Sequence, residues 1–587
     1  DRVLRVVLWL VLGLGMALGI YGTRPPAALG LAAPPVQFSA ARAGSHLPHI
    51  ASRPHPFGSE ANAQIRAYLI AALRDLGLEV RVERTSRMVT RSGLVKAGGV
   101  DNIVATLRGT DNRRAVMLMA HFDSVAEGPG AADDGAGVSA ILEVVRAVRA
   151  GPPLRNDLII LLTDGEEAGL VGAAGFAADH KDLASWVGVV VNLEARGSSG
   201  PALMFETSDR NGWLIPEFAR AAPYPVASSL MYTVYKSLPN DTDLSELKIT
   251  GVAAFNFAFT ETVQNYHSAL DTPENLDPRS VQHMGVNTLG LTRHFGNLAK
   301  PIVKKPDSIY FNWLGWRLMF YPVWVGWILT ATTFVLLLLA FVAGRRGGLL
   351  KWSFASLGVF FVLILSISAG MLAVWSAVWF LIGESFVPGD TVSNQLLFAG
   401  LTAFGALVGY WMMVTLSAKL GARDLTGGVV VVTAILAASV LFIRPGASYF
   451  LQWPALLGAG GLLLGLRTDE PGRKALYGLL VGLPVIVLLA PLAYFFFVNV
   501  ELNAISLTAT ALLLSLLLGT AWPLFDFIYR PAPRMTMLCG ATAVVLILAG
   551  AAFTHPHLRK KAPLTDDGHG TRKILPLSSS TSIEPRR

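Results

Sequence analysis

Hydrophobic positions divide the chain into two parts that meet near Lys305. Before that point, short apolar runs alternate with amphipathic stretches, and three of the runs predict buried strands, at Ala115–Ala120, Asp157–Thr163 and Val187–Leu193. After it, long apolar segments follow one another, and their lengths predict helices that cross a bilayer. The sequence therefore predicts a globular domain followed by a membrane domain.

The order of these elements predicts the domain organisation. Strand–helix alternation through Leu193 predicts an α/β domain whose mixed, mostly parallel sheet has helices on both faces. The apolar run from about Val6 to Tyr21 is expected to be an uncleaved membrane anchor. The expected units are the anchor at 1–22, a Pro/Ala-rich linker at 23–46, the α/β domain at 47–305, a polytopic α-helical membrane domain at 306–554 and a polar, disordered tail at 555–587.

Eight apolar segments in the second part have the composition of membrane-spanning helices. They are Pro322–Ala343, Phe354–Ile382, Leu396–Ala418, Gly427–Ile443, Phe450–Leu466, Leu476–Val500, Leu507–Phe527 and Met535–Thr554. With the anchor they predict nine spans, although the fourth and fifth segments are short and a re-entrant hairpin is their alternative. Few charged residues lie inside these segments, so the membrane half is expected to be an anchor and a scaffold.

Charges in the connecting loops predict the side of the membrane on which the α/β domain lies. In the short loops on one side the only basic residue is Arg444, and these loops also carry the acidic residues Glu384, Asp390 and Glu501. Because cytoplasmic loops are enriched in Lys and Arg, the α/β domain is expected outside the cytoplasm, in the periplasm of a bacterium or the lumen of the endoplasmic reticulum. The loops expected to be cytoplasmic carry Arg345, Arg346, Lys351, Lys419, Arg423, Arg467, Arg473, Lys474, Arg530 and Arg534.

Composition agrees with a membrane protein. Hydrophobic residues make up 52% of the 587 residues and charged residues 15%, which is too apolar for a soluble enzyme. The formal net charge of +8 does not indicate nucleic acid as a partner, because the basic residues are scattered or lie at segment ends and no nucleic-acid-binding motif is present. The single cysteine, Cys539, rules out a disulfide framework and a cysteine-rich zinc site.

Metal-ligating side chains follow the ends of the predicted strands. His121 and Asp123 come after the first strand, and a Gly-rich loop then delivers Asp133 and Asp134, which could instead be a helix-capping pair. Open α/β sheets bind ligands at the carboxyl ends of their strands, so we expect these groups to converge. Mixed imidazole and carboxylate ligation suits zinc, and two ions about 3.5–4 Å apart fit the number of ligands. The later members of the set are Glu166, Glu167, Glu194 and His267.

Five short motifs in order carry a family resemblance. They are H-x-D at His121, G-x-x-D-D-x-x-G at Gly130, D-G-E-E-x-G at Asp164, N-L-E at Asn192 and Y-H-S-x-x-D-T at Tyr266. Together they resemble the co-catalytic two-zinc exopeptidases, such as the bacterial leucyl-type aminopeptidases, over about Leu47–Leu298. The anchor and the polytopic second half are similar to the endoplasmic reticulum metallopeptidase branch of that family. The resemblance implies an α/β zinc-exopeptidase domain, two zinc ions per chain and a peptide substrate.

The resemblance also implies a role for each metal ligand. His121 and Glu194 would bind one zinc ion, Glu167 and His267 would bind the other, and Asp133 would bridge the two. The glutamate at position 194 is a departure from the family pattern, because many members have aspartate there.

Three more residues receive catalytic roles from the resemblance. Glu166 would be the general base, Asp123 would accept a hydrogen bond from the second ring nitrogen of His121, and Tyr266 would help to hold the tetrahedral intermediate. Glu166 suits its role on chemical grounds too, since it is next to a ligand yet is not needed as one.

The expected function is the removal of N-terminal residues from peptides by a membrane-anchored metallo-aminopeptidase. The alternatives are a one-zinc relative similar to glutaminyl cyclases, a relative that binds peptides without hydrolysis, and a transporter with a peptide-binding outer domain. Among the other polar residues, Asp271 is expected to order the His267 loop without binding metal. The run Asn240–Asp243 either shapes the pocket or caps a helix, and His55 is expected in a surface loop.

Overall fold

The computed structural model describes nine ranges of the chain, which are 2–91, 94–237, 240–300, 302–314, 317–346, 354–383, 386–387, 389–529 and 533–554. The tail predicted at 555–587 and the loop residues Lys351, Glu384 and Arg530 lie outside these ranges.

Nine strands in the described ranges form two sheets. They are β1 (Glu79–Arg91), β2 (Leu94–Leu107), β3 (Ala115–His121), β4 (Leu158–Thr163), β5 (Val187–Ala195), β6 (Leu203–Thr207), β7 (Ala253–Phe259), β8 (Ser308–Trp313) and β9 (Arg317–Pro322). The first seven form one sheet in the order β1-β2-β4-β3-β5-β7-β6, and β8 pairs with β9. Strands β4, β3, β5 and β7 run parallel at the centre, whereas β1, β2 and β6 pair antiparallel at the edges. The predicted mixed sheet is confirmed.

Helices cover both faces of the seven-stranded sheet, and the central strand β3 shows how. Val116, Leu118 and Ala120 belong to one core with α5 and α11, whereas Met117 and Met119 belong to a second core with α6, α7 and α10. Successive side chains of a strand point to opposite faces, so a strand covered on both sides is apolar throughout. The helices of this domain are α2 (Ala40–Gly44), α3 (Leu47–Ile50), α4 (Glu60–Asp75), α5 (Gly135–Arg149), α6 (Val171–Asp179), α7 (Leu183–Trp186), α8 (Leu214–Ala221), α9 (Ser229–Tyr235), α10 (Asp243–Lys248) and α11 (Pro278–Gly296).

Part of the segment predicted as a linker packs on the α/β domain. The Phe38 side chain is 1% exposed and lies in the domain core, against Gly285 of α11, where even a Cβ atom would overlap the ring. The Ser39 main-chain N–H donates to a carboxylate oxygen of Glu143 at 3.1 Å. Residues 38–44 therefore join the domain, which the Pro/Ala-rich composition did not predict.

Long apolar helices precede and follow the α/β domain. They are α1 (Arg2–Tyr21), α12 (Val323–Arg346), α13 (Phe354–Ile382), α14 (Val392–Leu420), α15 (Ala422–Ile443), α16 (Tyr449–Gly465), α17 (Pro471–Val500), α18 (Ala504–Thr520), α19 (Trp522–Tyr529) and α20 (Pro533–Thr554). Among the described residues, seven of these helices are long and apolar enough to cross a membrane, or eight if α18 and α19 together form one span. The number of nine spans stays a prediction.

One predicted segment differs in shape from the helices in the structure, and one short segment agrees with them. The segment predicted at Leu507–Phe527 is not one straight helix, because α18 and α19 meet at an angle of 83°. Pro523 lies in the first turn of α19, where its missing N–H is tolerated. The segment predicted at Phe450–Leu466 is α16, with only 17 residues.

The α/β domain packs directly on one end of the helical part. The loop between α13 and α14, the turn between α15 and α16 and the last turns of α17 all contact it. The contacts are Thr262 N–H to the carboxylate of Asp390 (2.6 Å), the Ser229 hydroxyl to the carbonyl of Gly446 (2.6 Å) and the Arg24 guanidinium to the hydroxyl of Tyr494 (3.0 Å).

Candidate active site

Four loops at the carboxyl ends of the parallel strands build the candidate site. β3 ends at His121, which pairs in register with Thr163 at the end of β4, so the loop carrying Glu166 and Glu167 begins at the same level. Glu194 lies near the end of β5, and the loop after β7 carries His267. The expected convergence of the strand ends is therefore seen in the sheet.

The Asp133 carboxylate lies between the two imidazoles. Its Oδ1 is 3.1 Å from Nε2 of His121, and its Oδ2 is 3.2 Å from Nε2 of His267. Glu194 approaches the first imidazole at 3.7 Å, and Glu167 approaches the second at 3.1 Å. Asp133 thus belongs to two groups of three potential ligands, each with its donor atoms within 4.8 Å of one another.

Glu166 lies beside these two groups. One of its carboxylate oxygens falls within 4.8 Å of donor atoms from His121 and Glu167. It also lines a cavity of about 790 Å³ together with Asp133, Glu167 and Glu194. All five predicted ligands and the predicted base are therefore neighbours in the structure.

The Asp123 carboxylate holds the loop after β4. It accepts hydrogen bonds from the main-chain N–H groups of Glu166 at 3.0 Å and Glu167 at 3.2 Å. We expected this carboxylate to accept from the ring of His121, but Nδ1 of His121 is closer to the Asp123 carbonyl oxygen (3.0 Å) than to its carboxylate (3.6 Å). Asp123 therefore positions the two glutamates as well as the imidazole.

Two further aspartates shape the loop that carries Asp133. Asp134 caps α5 by accepting a hydrogen bond from Gly137 N–H at 3.0 Å, so the capping alternative holds for Asp134 alone. Asp271 accepts from the main-chain N–H groups of Ala132 at 2.7 Å and Asp133 at 3.2 Å. Asp271 thus orders the Asp133 loop in addition to the His267 loop, where its own N–H donates to the Ser268 carbonyl at 3.0 Å; the sequence led us to expect only the second role.

A buried chain of polar groups lies behind Glu194. Asn192 donates to Glu194 at 3.2 Å and to its cross-strand partner Asn256 at 2.9 Å. Asn256 donates to Glu206, which is paired with Lys248. Sequence reasoning missed this chain, although the asparagines interrupt the apolar strands VVVNLE and FNF. It fixes the side-chain position of a candidate ligand from behind.

Two other polar sites can be compared with expectation. Thr242 caps α10 and also lines the cavity, so the run Asn240–Asp243 both caps a helix and shapes the pocket. Asp243 at the start of α10 accepts a hydrogen bond from the Thr163 hydroxyl. His55 is 2% exposed, so its expected surface position is wrong, and its Nδ1 lies 3.0 Å from the Arg53 carbonyl oxygen.

Burial and crowding shift the ionisation of the cluster. Burial raises the pKa of Glu166 well above its usual range, the pKa of Glu167 to about 7 and the pKa of Glu194 to about 8. Burial alone would lower the pKa of His267, but its hydrogen bonds to carboxylates outweigh burial and raise it to about 10. The same balance raises the pKa of His121. These shifts describe protons held among crowded ligands, and metal binding releases such protons.

The donor atoms fit zinc. Oε1 of Glu167 is buried, and within the described part of the chain its one polar neighbour at hydrogen-bond distance is Nε2 of His267, at 3.1 Å. Two imidazoles with several carboxylates, free of cysteine, are a ligand set that zinc accepts. Tyr266 completes this side of the site, because its ring stacks on the His267 ring at a centroid distance of 3.7 Å.

An α/β sheet with imidazoles and carboxylates gathered at the ends of its parallel strands is the arrangement of a metalloenzyme. Residues 102–292 match the model of Peptidase family M28. The resemblance predicted from the five motifs is confirmed.

Curated relatives extend the similarity beyond the matched domain. Endoplasmic reticulum metallopeptidase 1 of Homo sapiens is 30% identical over 319 residues, which are 50% of this chain and 35% of that protein. The mouse protein of the same name is 34% identical over 239 residues, covering 39% of this chain and 26% of its own length. The vacuolar membrane protease of Schizosaccharomyces pombe is 32% identical over 279 residues, covering 45% and 32%.

These alignments span about a quarter to a third of the length of the curated relatives. Among solved structures, an aminopeptidase from Aneurinibacillus is similar, with a TM-score of 0.38, 14% identity and coverage of 46% of this chain and 97% of its own.

Proposed function

We propose that this chain is a membrane-anchored zinc aminopeptidase that removes N-terminal residues from peptides on the extracytoplasmic side of a membrane. The observation that carries the proposal is the position of Asp133, whose two carboxylate oxygens face two different imidazoles. Asp133 is therefore shared by two sets of candidate ligands, one set for each of two zinc ions. Asp133, His121 and Glu194 would hold the first ion, and Asp133, Glu167 and His267 would hold the second.

Zinc held by these residues would lower the pKa of a bound water to about 7 and would polarise the scissile carbonyl. Glu166 takes the proton from the attacking water and passes it to the departing amine. Glu166 is assigned this exchange because it lines the cavity beside the candidate ligands and is not needed as a ligand itself. Its main chain is held by Asp123, so the carboxylate stays at the cavity wall.

Tyr266 and the candidate metal ligands are assigned the other contacts with the substrate. The Tyr266 side chain lines the cavity beside Glu166, so its hydroxyl is the donor that we assign to the developing oxyanion. A second zinc ion, if bound by Glu167 and His267, would offer a coordination position to the free α-amino group of a peptide. This coordination favours an aminopeptidase over an endopeptidase.

Two observations support the extracytoplasmic side. The loops that contact the α/β domain include Asp390 and Gly446, and they belong to the set with few basic residues. The loops at the other ends of the same helices carry the arginines and lysines, which favour the cytoplasm.

The test combines metal content with peptide hydrolysis on detergent-purified full-length protein. Wild type is expected to hold about two zinc ions and to cleave peptides with free N-termini. Glu166→Gln should keep the zinc and lose about 10²- to 10⁴-fold in kcat, as for removal of a general base. Glu127→Gln, on the exposed part of the loop between His121 and Asp133, is the matched control and should keep its activity.

The contrary outcomes separate the alternatives. Zinc binding with cyclisation of N-terminal glutamine and no hydrolysis would favour a cyclase, and zinc binding with neither reaction would favour a peptide-binding relative. Absence of zinc after incubation with an excess of the metal would contradict the ligand assignment. Peptide flux into vesicles that survives Glu166→Gln would favour a transporter.

A further inference from the structure

The cavity beside the candidate metal ligands has a second wall, which comes from the membrane part of the chain. Four residues at the end of α17 line it, namely Phe495, Phe496, Asn499 and Val500. Their spacing of one and four residues puts them on one side of the helix, so α17 presents a continuous strip to the cavity. One wall of the cavity is therefore formed by α17, a helix that is long and apolar enough to cross a membrane.

The cavity is lined by both charged and apolar side chains. Its charged residues include Asp133, Glu166, Glu167 and Glu194, together with Arg196 and Asp241. Six of its large apolar residues are Leu203, Phe205, Met231, Val234, Phe495 and Phe496. All except Leu203 are only half-buried, so they have surface left for a ligand to cover. A peptide with its scissile bond at the carboxylates would place a neighbouring side chain against this lining.

The same end of the helical part holds the loop after β7. Arg24 pairs with Glu261 at 2.6 Å and donates to the Tyr494 hydroxyl of α17 at 3.0 Å. Asp390 accepts the N–H of Thr262 at 2.6 Å. This loop continues to His267, so the wall and one candidate ligand are held by the same contacts. The contacts of Arg24 and Asp390 thus fix the position of α17 relative to the candidate site.

We propose that α17 is a specificity element, whose residues Phe495 and Phe496 bind a large apolar side chain of the peptide substrate next to the scissile bond. This proposal rests on the proposed peptidase function and names its substrate class. It also assigns the membrane part a role beyond anchoring. The occupant is a substrate side chain because Phe495 and Phe496 line the same cavity as the candidate ligands and base.

The test compares substrates and variants in full-length, zinc-loaded protein. The substrates are the tripeptide amides Ala-Ala-Ala, Leu-Ala-Ala and Ala-Leu-Ala, so leucine stands on either side of the first peptide bond. Phe495→Ala/Phe496→Ala should lower kcat/KM for one leucine-containing substrate about 10- to 100-fold more than for Ala-Ala-Ala. The control Leu480→Ala changes a 58% exposed residue of the same helix and should leave all ratios unchanged.

Each outcome has one meaning. The proposal is supported if the double variant changes the ratio of kcat/KM between a leucine-containing substrate and Ala-Ala-Ala while Leu480→Ala does not. The substrate that is affected then shows which side chain of the peptide contacts Phe495 and Phe496. An equal loss for all three substrates, or no loss, overturns the specificity role while leaving the peptidase intact. Zinc-loaded wild type that cleaves none of the three peptides would instead contradict the proposed function itself. A second variant, Phe496→Leu, keeps apolar bulk and should retain most of the leucine preference.

Discussion

Asp271 offers a sharp test of how the candidate metal centre is held together. Its carboxylate is buried, with the residue 2% exposed, and it accepts two main-chain N–H groups, those of Ala132 and Asp133. Asp271→Ala would leave both donors without a partner in a place that water reaches poorly. Each unsatisfied buried donor costs about 1–3 kcal/mol, so the two together cost about 2–6 kcal/mol.

Part of this cost should appear as lost zinc affinity, because the freed loop carries the carboxylate that faces both imidazoles. We expect the zinc Kd to rise about 10- to 100-fold, as for other groups that orient metal ligands. Asp271→Asn keeps the shape and one acceptor oxygen, so its effect should be intermediate. The assay is zinc competition against a chelator, with thermal unfolding of the metal-free protein measured in parallel.

The control for Asp271 is Asp277→Ala. Asp277 also accepts a main-chain N–H, that of Arg279 at 2.9 Å, but it does so at the start of α11, away from the metal ligands. Its loss should lower stability by about 1 kcal/mol, as for other N-caps, with no change in zinc affinity. The reasoning is refuted if Asp271→Ala is destabilised but binds zinc within about threefold of wild type.

Two other predictions concern stability. Burial lowers the pKa of His283 to about 4, and the His283 ring donates a hydrogen bond to the Tyr224 carbonyl. In the unfolded chain this histidine takes up a proton near its ordinary pKa of 6.5. The free energy of unfolding should therefore fall by about 3 kcal/mol as the pH drops from about 6.5 to about 4. Thermal unfolding should therefore depend less on pH in His283→Gln, and an unchanged dependence would contradict this account. Arg24→Ala removes the partner of Glu261, a carboxylate whose side chain is 9% exposed, and should lower the unfolding temperature by several degrees, for about 1–3 kcal/mol, because Arg24 itself is a third exposed. Arg24→Lys keeps the charge and should lose less; equal unfolding temperatures for wild type and both variants would show that the pair contributes nothing.

Expectation and structure agree best where the physics is local. The run AVMLMA at Ala115–Ala120 predicted a buried strand, because a strand covered on both faces needs apolar residues at every position, and β3 is buried throughout. His121 at its end and the carboxylates after the neighbouring strands were expected to meet, because parallel strands end at one edge. Their pairing in register brings this about.

The disagreements arise where a residue's partner is distant in the chain. Asp271 follows His267 by four positions, so a local role was the natural expectation, yet it holds the loop of Asp133, more than a hundred residues earlier. Phe38 lies in a stretch with the composition of a linker, and only the gap above Gly285 makes it a core residue. Neither contact leaves a signal in composition or periodicity.

The sequence by itself determined the two-part architecture, the strands that end at the ligands and the set of side chains that gather there, because hydrophobic period and residue chemistry act over a few positions. Only the tertiary structure decided which oxygen of Asp133 faces which imidazole. It also decided which main-chain N–H groups Asp123 and Asp271 bind, and that residues of α17 line the cavity beside the candidate ligands. Those relations depend on the packing of elements far apart in the chain, and packing is a property of the folded whole.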